Sequence, residues 1–131
     1  MAWKITSFEG DDGVVPGDVF EDSLDSSPDP NVRKLLDKLA RNVEYAAEQG
    51  PTGEGGGRFE KCHSYPFWQI KASRGNKRGR HFFCWDHSRH RLVLLSGVVK
   101  EGNTATNGSK YVEAKAQMDR YRQTGRIAED G

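Results

Sequence analysis

Phe67-Trp68-Gln69-Ile70-Lys71-Ala72, Arg80-His81-Phe82-Phe83-Cys84-Trp85-Asp86 and Arg91-Leu92-Val93-Leu94-Leu95-Ser96-Gly97-Val98-Val99 follow one another in the second half of the chain. Each is rich in aromatic and β-branched residues, and each is bounded by Gly, Asn, Ser or Asp, the punctuation of strands rather than helices. Ser73-Arg74-Gly75-Asn76-Lys77-Arg78-Gly79 reads as the turn between the first two, and His87-Ser88-Arg89-His90 as a tight connection to the third. The third run is apolar almost without interruption, as expected of a central strand covered on both faces. Three antiparallel strands therefore form the nucleus of the fold.

Upstream, Trp3-Lys4-Ile5-Thr6-Ser7-Phe8 reads as a first strand ended by Gly10-Asp11-Asp12-Gly13. Val19, Phe20 and Leu24 suit a short helix that stops at Ser26-Ser27-Pro28. Asp29 is a good N-cap, and Pro30 fits the first helical position, where a missing N–H costs nothing. From there Val32, Leu35, Leu36, Leu39, Val43, Ala46 and Ala47 recur at helical spacing until Gly50-Pro51. Thr52 to Gly57 reads as a surface loop, Phe59 to Tyr65 as extended chain, and Glu101 to Ser109 as a polar loop. A last helix is expected over Lys110 to Gln123, with Tyr111, Ala114, Met118 and Tyr121 on one face. The whole is an α+β chain of one domain, residues 1–131, without an internal repeat.

At 131 residues and 34% hydrophobic content the chain supports one modest core, and its thirteen aromatic residues argue against disorder. No apolar run approaches the ~18 residues of a membrane span, and the N-terminal segment lacks an apolar signal region, so the expected location is cytoplasmic, away from membranes. Two cysteines, Cys62 and Cys84, are too few for a disulfide scaffold; one bridge between them is allowed by sequence, and free thiols are the preferred reading.

The net charge of +1 conceals an asymmetry. Residues 1–57 carry five Lys/Arg against twelve Asp/Glu, a net −7, leaving 15 against 7, a net +8, for residues 58–131. Between Arg58 and Lys100 ten cations face only Glu60 and Asp86. A basic half of this kind suits a polyanionic partner, although complementation of the two halves within the fold is the plainer alternative.

Lys71, Arg74, Lys77, Arg78 and Arg80 fall on two neighbouring strands and their turn, where residues of one face can form a positive patch for a phosphodiester backbone. Solvated turn charges are the ordinary alternative. Phe67, Trp68, Phe82, Phe83 and Trp85 offer flat faces for bases, yet core packing is the commoner fate of such residues. Cys84, His87 and His90, with Cys62 and His63 upstream, contain ligand-type residues without a recognised zinc spacing, and cationic neighbours disfavour a metal. No metal or other cofactor is expected. Nor does the chain contain a nucleophile elbow, a phosphate-binding loop or a paired-carboxylate motif.

Phe67-Trp68-Gln69-Ile70-Lys71, the basic turn, Arg80-His81-Phe82-Phe83, an Asp-centred turn, Leu92 to Lys100 and a closing Ala/Lys/Arg helix together resemble the RelE/ParE toxin superfamily, most closely its HigB or phage Gp49-like branch. The resemblance implies a small antiparallel sheet, mixed through its N-terminal strand, with helices packed on one side. It also implies a toxin of a type II toxin–antitoxin pair: a ribosome-dependent mRNA endoribonuclease, a hydrolase in which the RNA 2′-OH attacks the adjacent phosphate. Its expected partners are mRNA on the ribosome and an antitoxin with a helix-turn-helix DNA-binding fold. Carried over by position, Lys71, Arg80 and Lys100 are the catalytic cations; His81 and Tyr111 are proton-transfer candidates by residue type and neighbourhood, and Arg74, Lys77 and Arg78 of the basic patch are the expected RNA contacts. Glu101-Gly102-Asn103 departs from the family, which often continues with cations there. A ParE-like gyrase inhibitor without catalysis, or a phage-derived RNA- or protein-binding domain, are the alternatives within the same likeness.

Overall fold

A computed structural model describes residues 2–102, 104 and 108–128. In chain order the elements are β1 (Lys4–Ser7), α1 (Pro16–Asp25), α2 (Pro30–Gln49), β2 (Phe59–Lys61), β3 (Trp68–Arg74), β4 (Lys77–Asp86), β5 (Arg91–Glu101) and α3 (Gly108–Thr124). They build an α+β fold around one five-stranded mixed sheet of order β1-β5-β4-β3-β2. β1 runs parallel to β5, and every other pairing is antiparallel.

Local signals account for the helices. Pro16 and Pro30 each open a helix, and the Asp29 carboxylate accepts the Asn31 N–H at 2.8 Å. At the far end of α2, Gly50 takes φ 74°, a left-handed stop open to glycine. The apolar stripe of α2, Leu35, Leu39, Val43, Ala46 and Ala47, is buried as its spacing requires. It packs with Phe20 and Leu24 of α1 onto Phe59, Ile70, Ala72, Phe83, Trp85, Leu92 and Leu94.

Successive strand residues point to opposite faces, so Phe67, Phe82, Cys84, Val93 and Leu95 form a second core with Ala114, Met118 and Tyr121 of α3. The helices thus occupy both faces: α1 and α2 lie on one side as expected, while α3 covers the other. β5, layered between them, has Leu92, Val93 and Leu95 fully buried, as its nearly continuous apolar run implied.

Two strand details differ from the sequence reading and set up the site. β3 and β4 run on to Arg74 and Lys77, so the turn shrinks to Gly75-Asn76, with Gly75 at φ 58° in the manner of a two-residue hairpin. Cations read as turn residues therefore stand in the ladder. In β5, Leu95 and Ser96 lie opposite the single residue Phe82, because the pairing steps from His81↔Gly97 to Phe83↔Leu94. This bulge keeps Leu94 and Gly97 on the α1/α2 face despite their odd spacing. β2 is short, Phe59–Lys61, and the extended reading beyond it gives way at Ser64, whose φ is 66°. The polar loop read over residues 101–109 falls in part outside the described residues.

Among the described residues no helix is long and apolar enough to cross a membrane. Cys62 and Cys84 are buried free thiols, and burial pushes both up to about 12.

Candidate nucleic-acid site

Register assembles the basic residues. In the β3–β4 ladder Lys71 is opposite Arg80, and in the β4–β5 ladder Arg78 is opposite Lys100, with Arg80 opposite Val98. Gln69 pairs with Phe82, which belongs to the core beneath α3, so Lys71, Arg80, Arg78 and Lys100 all lie on that same face. Directly opposite residues bring their Cβ atoms to about 5 Å. Four cations are consequently held side by side where like charges repel, a costly arrangement unless an anion shares it.

The surroundings leave most of that charge unspent. Among the described residues Arg78, Arg80 and Lys100 form no ion pair. Arg80 donates to the Gly79 carbonyl at 2.8 Å, and Arg78 donates to the carbonyls of Gly75 at 2.8 Å and Lys77 at 3.2 Å. Burial lowers the Arg80 pKa below the usual arginine value; Glu60 and Tyr111 act against that shift, and the Arg78 charge adds to it. Lys71 reaches Glu60 at 3.2 Å, and the same carboxylate oxygen accepts from Gln69 at 3.0 Å.

Tyr111, in the first turn of α3, closes one side. Its ring stacks on Tyr65 with centroids 4.9 Å apart and 10° between planes, and lies 5.4 Å from Phe82. Both tyrosines are half-buried, and Tyr111 lies near enough to Arg80 to act on its charge.

The remaining sequence candidates lie elsewhere. His81 is on the α1/α2 face, 2% exposed, against Phe20 at 4.9 Å, and its Nε2 donates to the Leu95 carbonyl that the bulge frees, at 2.8 Å. Burial lowers its pKa to about 4, so it is a neutral core histidine removed from Lys71, Arg80 and Tyr111. Strand alternation is the reason: His81 and Arg80 are neighbours in sequence and therefore on opposite faces. The same parity sends Arg74 and Lys77 to the α2 side, where Lys77 pairs with Glu101 and lies 3.7 Å from Asp29. Glu101 thus holds Lys77 on the far face and leaves Lys100 without an ion pair among the described residues. Phe67, Phe82, Phe83 and Trp85 are buried in the two cores, and Trp68 is packed partly against one of them; the aromatics at the cationic face are Tyr65 and Tyr111.

Glu60 is the site residue that sequence reasoning passed over. It is one of only two carboxylates between Arg58 and Lys100, and that isolation was the available signal. His87 and His90 gather around Trp3, with centroids at 5.2 and 4.1 Å, and among the described residues no three His, Cys, Asp or Glu side chains come together as a metal site would need.

The chain matches no protein-family model, no curated protein and no solved structure.

Proposed function

We propose that this protein is a toxin of the RelE/ParE kind that cuts mRNA on the ribosome, held in check by a helix-turn-helix antitoxin. The observation that carries the reading is the pairing of Lys71 with Arg80 and of Arg78 with Lys100 on one sheet face beside Tyr111. A face with four cations in adjacent register suits a phosphate that gains negative charge during reaction.

The RNA 2′-oxygen attacks the adjacent phosphorus, forming a 2′-O–P bond while the P–O5′ bond breaks. Glu60, oriented by Lys71 and Gln69, accepts the 2′-OH proton. Arg80, Arg78 and Lys100 stabilise the pentacovalent phosphorus, and the Tyr111 hydroxyl supplies the proton that the leaving 5′-oxygen needs. The products are a 2′,3′-cyclic phosphate and a 5′-hydroxyl end.

Expression of the full chain in bacteria is the test. The reading expects arrest of growth and translation, relieved by Lys71→Ala with Arg80→Ala in a variant that still folds, and relieved also by a co-expressed helix-turn-helix antitoxin. Arrest that persists in the folded double variant contradicts these residue roles. Intact mRNA together with gyrase-linked DNA breaks would replace the ribonuclease with a gyrase inhibitor.

A further inference from the structure

The acidic half of the chain hides a basic surface. Four of its five cations, Arg33, Lys34, Lys38 and Arg41, lie on α2, and Lys34, Lys38 and Arg41 are spaced to share one helix face. That face meets the outer edge of β3, beyond the point where β2 stops pairing at Phe59↔Ile70. The junction is a cleft of about 380 Å³ lined by Lys38, Arg41, Asn42, Arg58, Lys71 and Ser73, with no carboxylate in its lining.

Its floor is already satisfied. Lys38 Nζ donates to the Ser73 carbonyl at 2.8 Å, and Asn42 Nδ2 donates to the Lys71 carbonyl at 2.7 Å, one helical turn capping two carbonyls of the open strand edge. Arg58 is held over the Tyr45 ring at 4.4 Å. Neither Arg41 nor Arg58 forms an ion pair among the described residues. Arg41 and Arg58 thus line a groove whose two strand-edge carbonyls, those of Lys71 and Ser73, are already hydrogen-bonded.

Lys71 lines this cleft and also stands opposite Arg80 on the cation face, so the two basic surfaces meet at one residue. We infer that the cleft is a second phosphodiester site, which takes the single-stranded RNA backbone as it leaves the cation face around the edge of β3. The inference rests on the RNA reading of that face. Arg41 and Arg58 hold a phosphate away from the scissile one and anchor the strand while making no contact with the reacting atoms. Such contacts supply affinity and salt dependence with little preference for base identity.

The experiment is fluorescence anisotropy of the full chain with a fluorescein-labelled oligouridylate of about 12 nucleotides, 2′-O-methylated so that the attacking hydroxyl is capped, across a salt series. Arg41→Ala with Arg58→Ala is expected to weaken binding about tenfold and to flatten the log–log salt slope by about 1.4, two phosphates at about 0.7 each. Lys4→Ala with Arg122→Ala, an equal change of charge at exposed sites outside the cleft, is expected to stay within about twofold of wild type. Arg41→Ala alone, on the exposed side of α2, keeps the test decisive if losing the Arg58–Tyr45 contact disturbs folding. Equal losses in both double variants, or none in the cleft variant while Arg80→Ala weakens binding, overturn the cleft alone. Failure of the wild-type chain to bind overturns the cleft and the RNA reading together. Displacement of the probe by polyglutamate but not by unlabelled RNA would assign the cleft to an acidic protein and overturn it as an RNA site. Binding lost in the cleft variants, with no RNA scission by wild type on or off the ribosome, supports the cleft and overturns the proposed cleavage.

Discussion

Lys71 stands directly opposite Arg80 across the β3–β4 ladder, on the face where Tyr111 closes the side. Like charges in directly opposed strand positions cost stability, by roughly 0.2–1 kcal/mol for a pair of this kind. Their persistence in one register, with Arg78 and Lys100 as the next pair, makes sense for a surface shaped around an anion.

Removing one of these charges should therefore separate stability from activity. Arg80→Gln is expected to abolish RNA cleavage while raising stability by about 0.5 kcal/mol, because the half-buried guanidinium has no carboxylate partner among the described residues. Urea denaturation beside a cleavage assay checks this. A variant that loses activity together with its fold would mark Arg80 as a structural residue instead.

His81 should control the response to mild acid. Burial lowers its folded pKa to about 4, below the ordinary 6.5, so the unfolded chain takes up the proton first as pH falls. Stability is unaffected above about pH 6.5, declines through that window and levels off below about pH 4, for a total loss of about 3 kcal/mol. His81→Gln should flatten this slope between pH 7 and 4.5, whatever it costs at neutral pH. An unchanged slope in the variant would place the acid sensitivity elsewhere.

Gly97 should tolerate no side chain. A Cβ there would stand 2.4 Å from the Phe20 ring, which packs over β5 just past the bulge. Gly97→Ala is expected to destabilise the protein by about 1–3 kcal/mol, the usual range for overpacking a filled core. A melting temperature equal to wild type would mean that α1 can shift away freely.

At the other end of the sheet, Asp86 ties β4 to α3. Burial works to raise its carboxyl, but hydrogen bonds from Tyr121 at 2.5 Å, Arg89 at 3.0 Å and Ser88 at 2.9 Å hold it well below the usual carboxylate range. Stability from this group is present above about pH 4 and is lost as pH falls below it. Tyr121→Phe should cost about 1–2 kcal/mol at neutral pH and move acid unfolding to higher pH. Acid titration followed by circular dichroism measures both effects, and coincident curves for variant and wild type would contradict them.

Legibility in the sequence followed the range of the interaction. Asp29-Pro30 and the three-and-four spacing after it mark α2 because capping and amphipathicity are local. Aromatic and β-branched runs bounded by turn residues likewise mark β3, β4 and β5. What stayed hidden depends on partners distant in sequence. The stripe Tyr111, Ala114, Met118, Tyr121 announces a buried helix face, yet nothing local says which side of the sheet receives it. The bulge at Leu95-Ser96 is masked by a nearly continuous apolar run, in which no period-two alternation shows where the register slips. For the same reason His81 and Arg80 look like one cluster in sequence, although alternation sends them to opposite layers. Glu60 gains its place only through β2 pairing with β3, a register that three residues do not encode by themselves.

The face carrying Lys71, Arg80, Arg78, Lys100 and Tyr111 is proposed to cut RNA. The most direct measurement incubates the purified chain with translating ribosomes and maps the ends of the mRNA. Breaks within the ribosome-bound codons are expected, with 2′,3′-cyclic phosphate and 5′-hydroxyl termini, and none with folded Lys71→Ala and Arg80→Ala variants. Intact mRNA after incubation with the folded wild-type chain would contradict it.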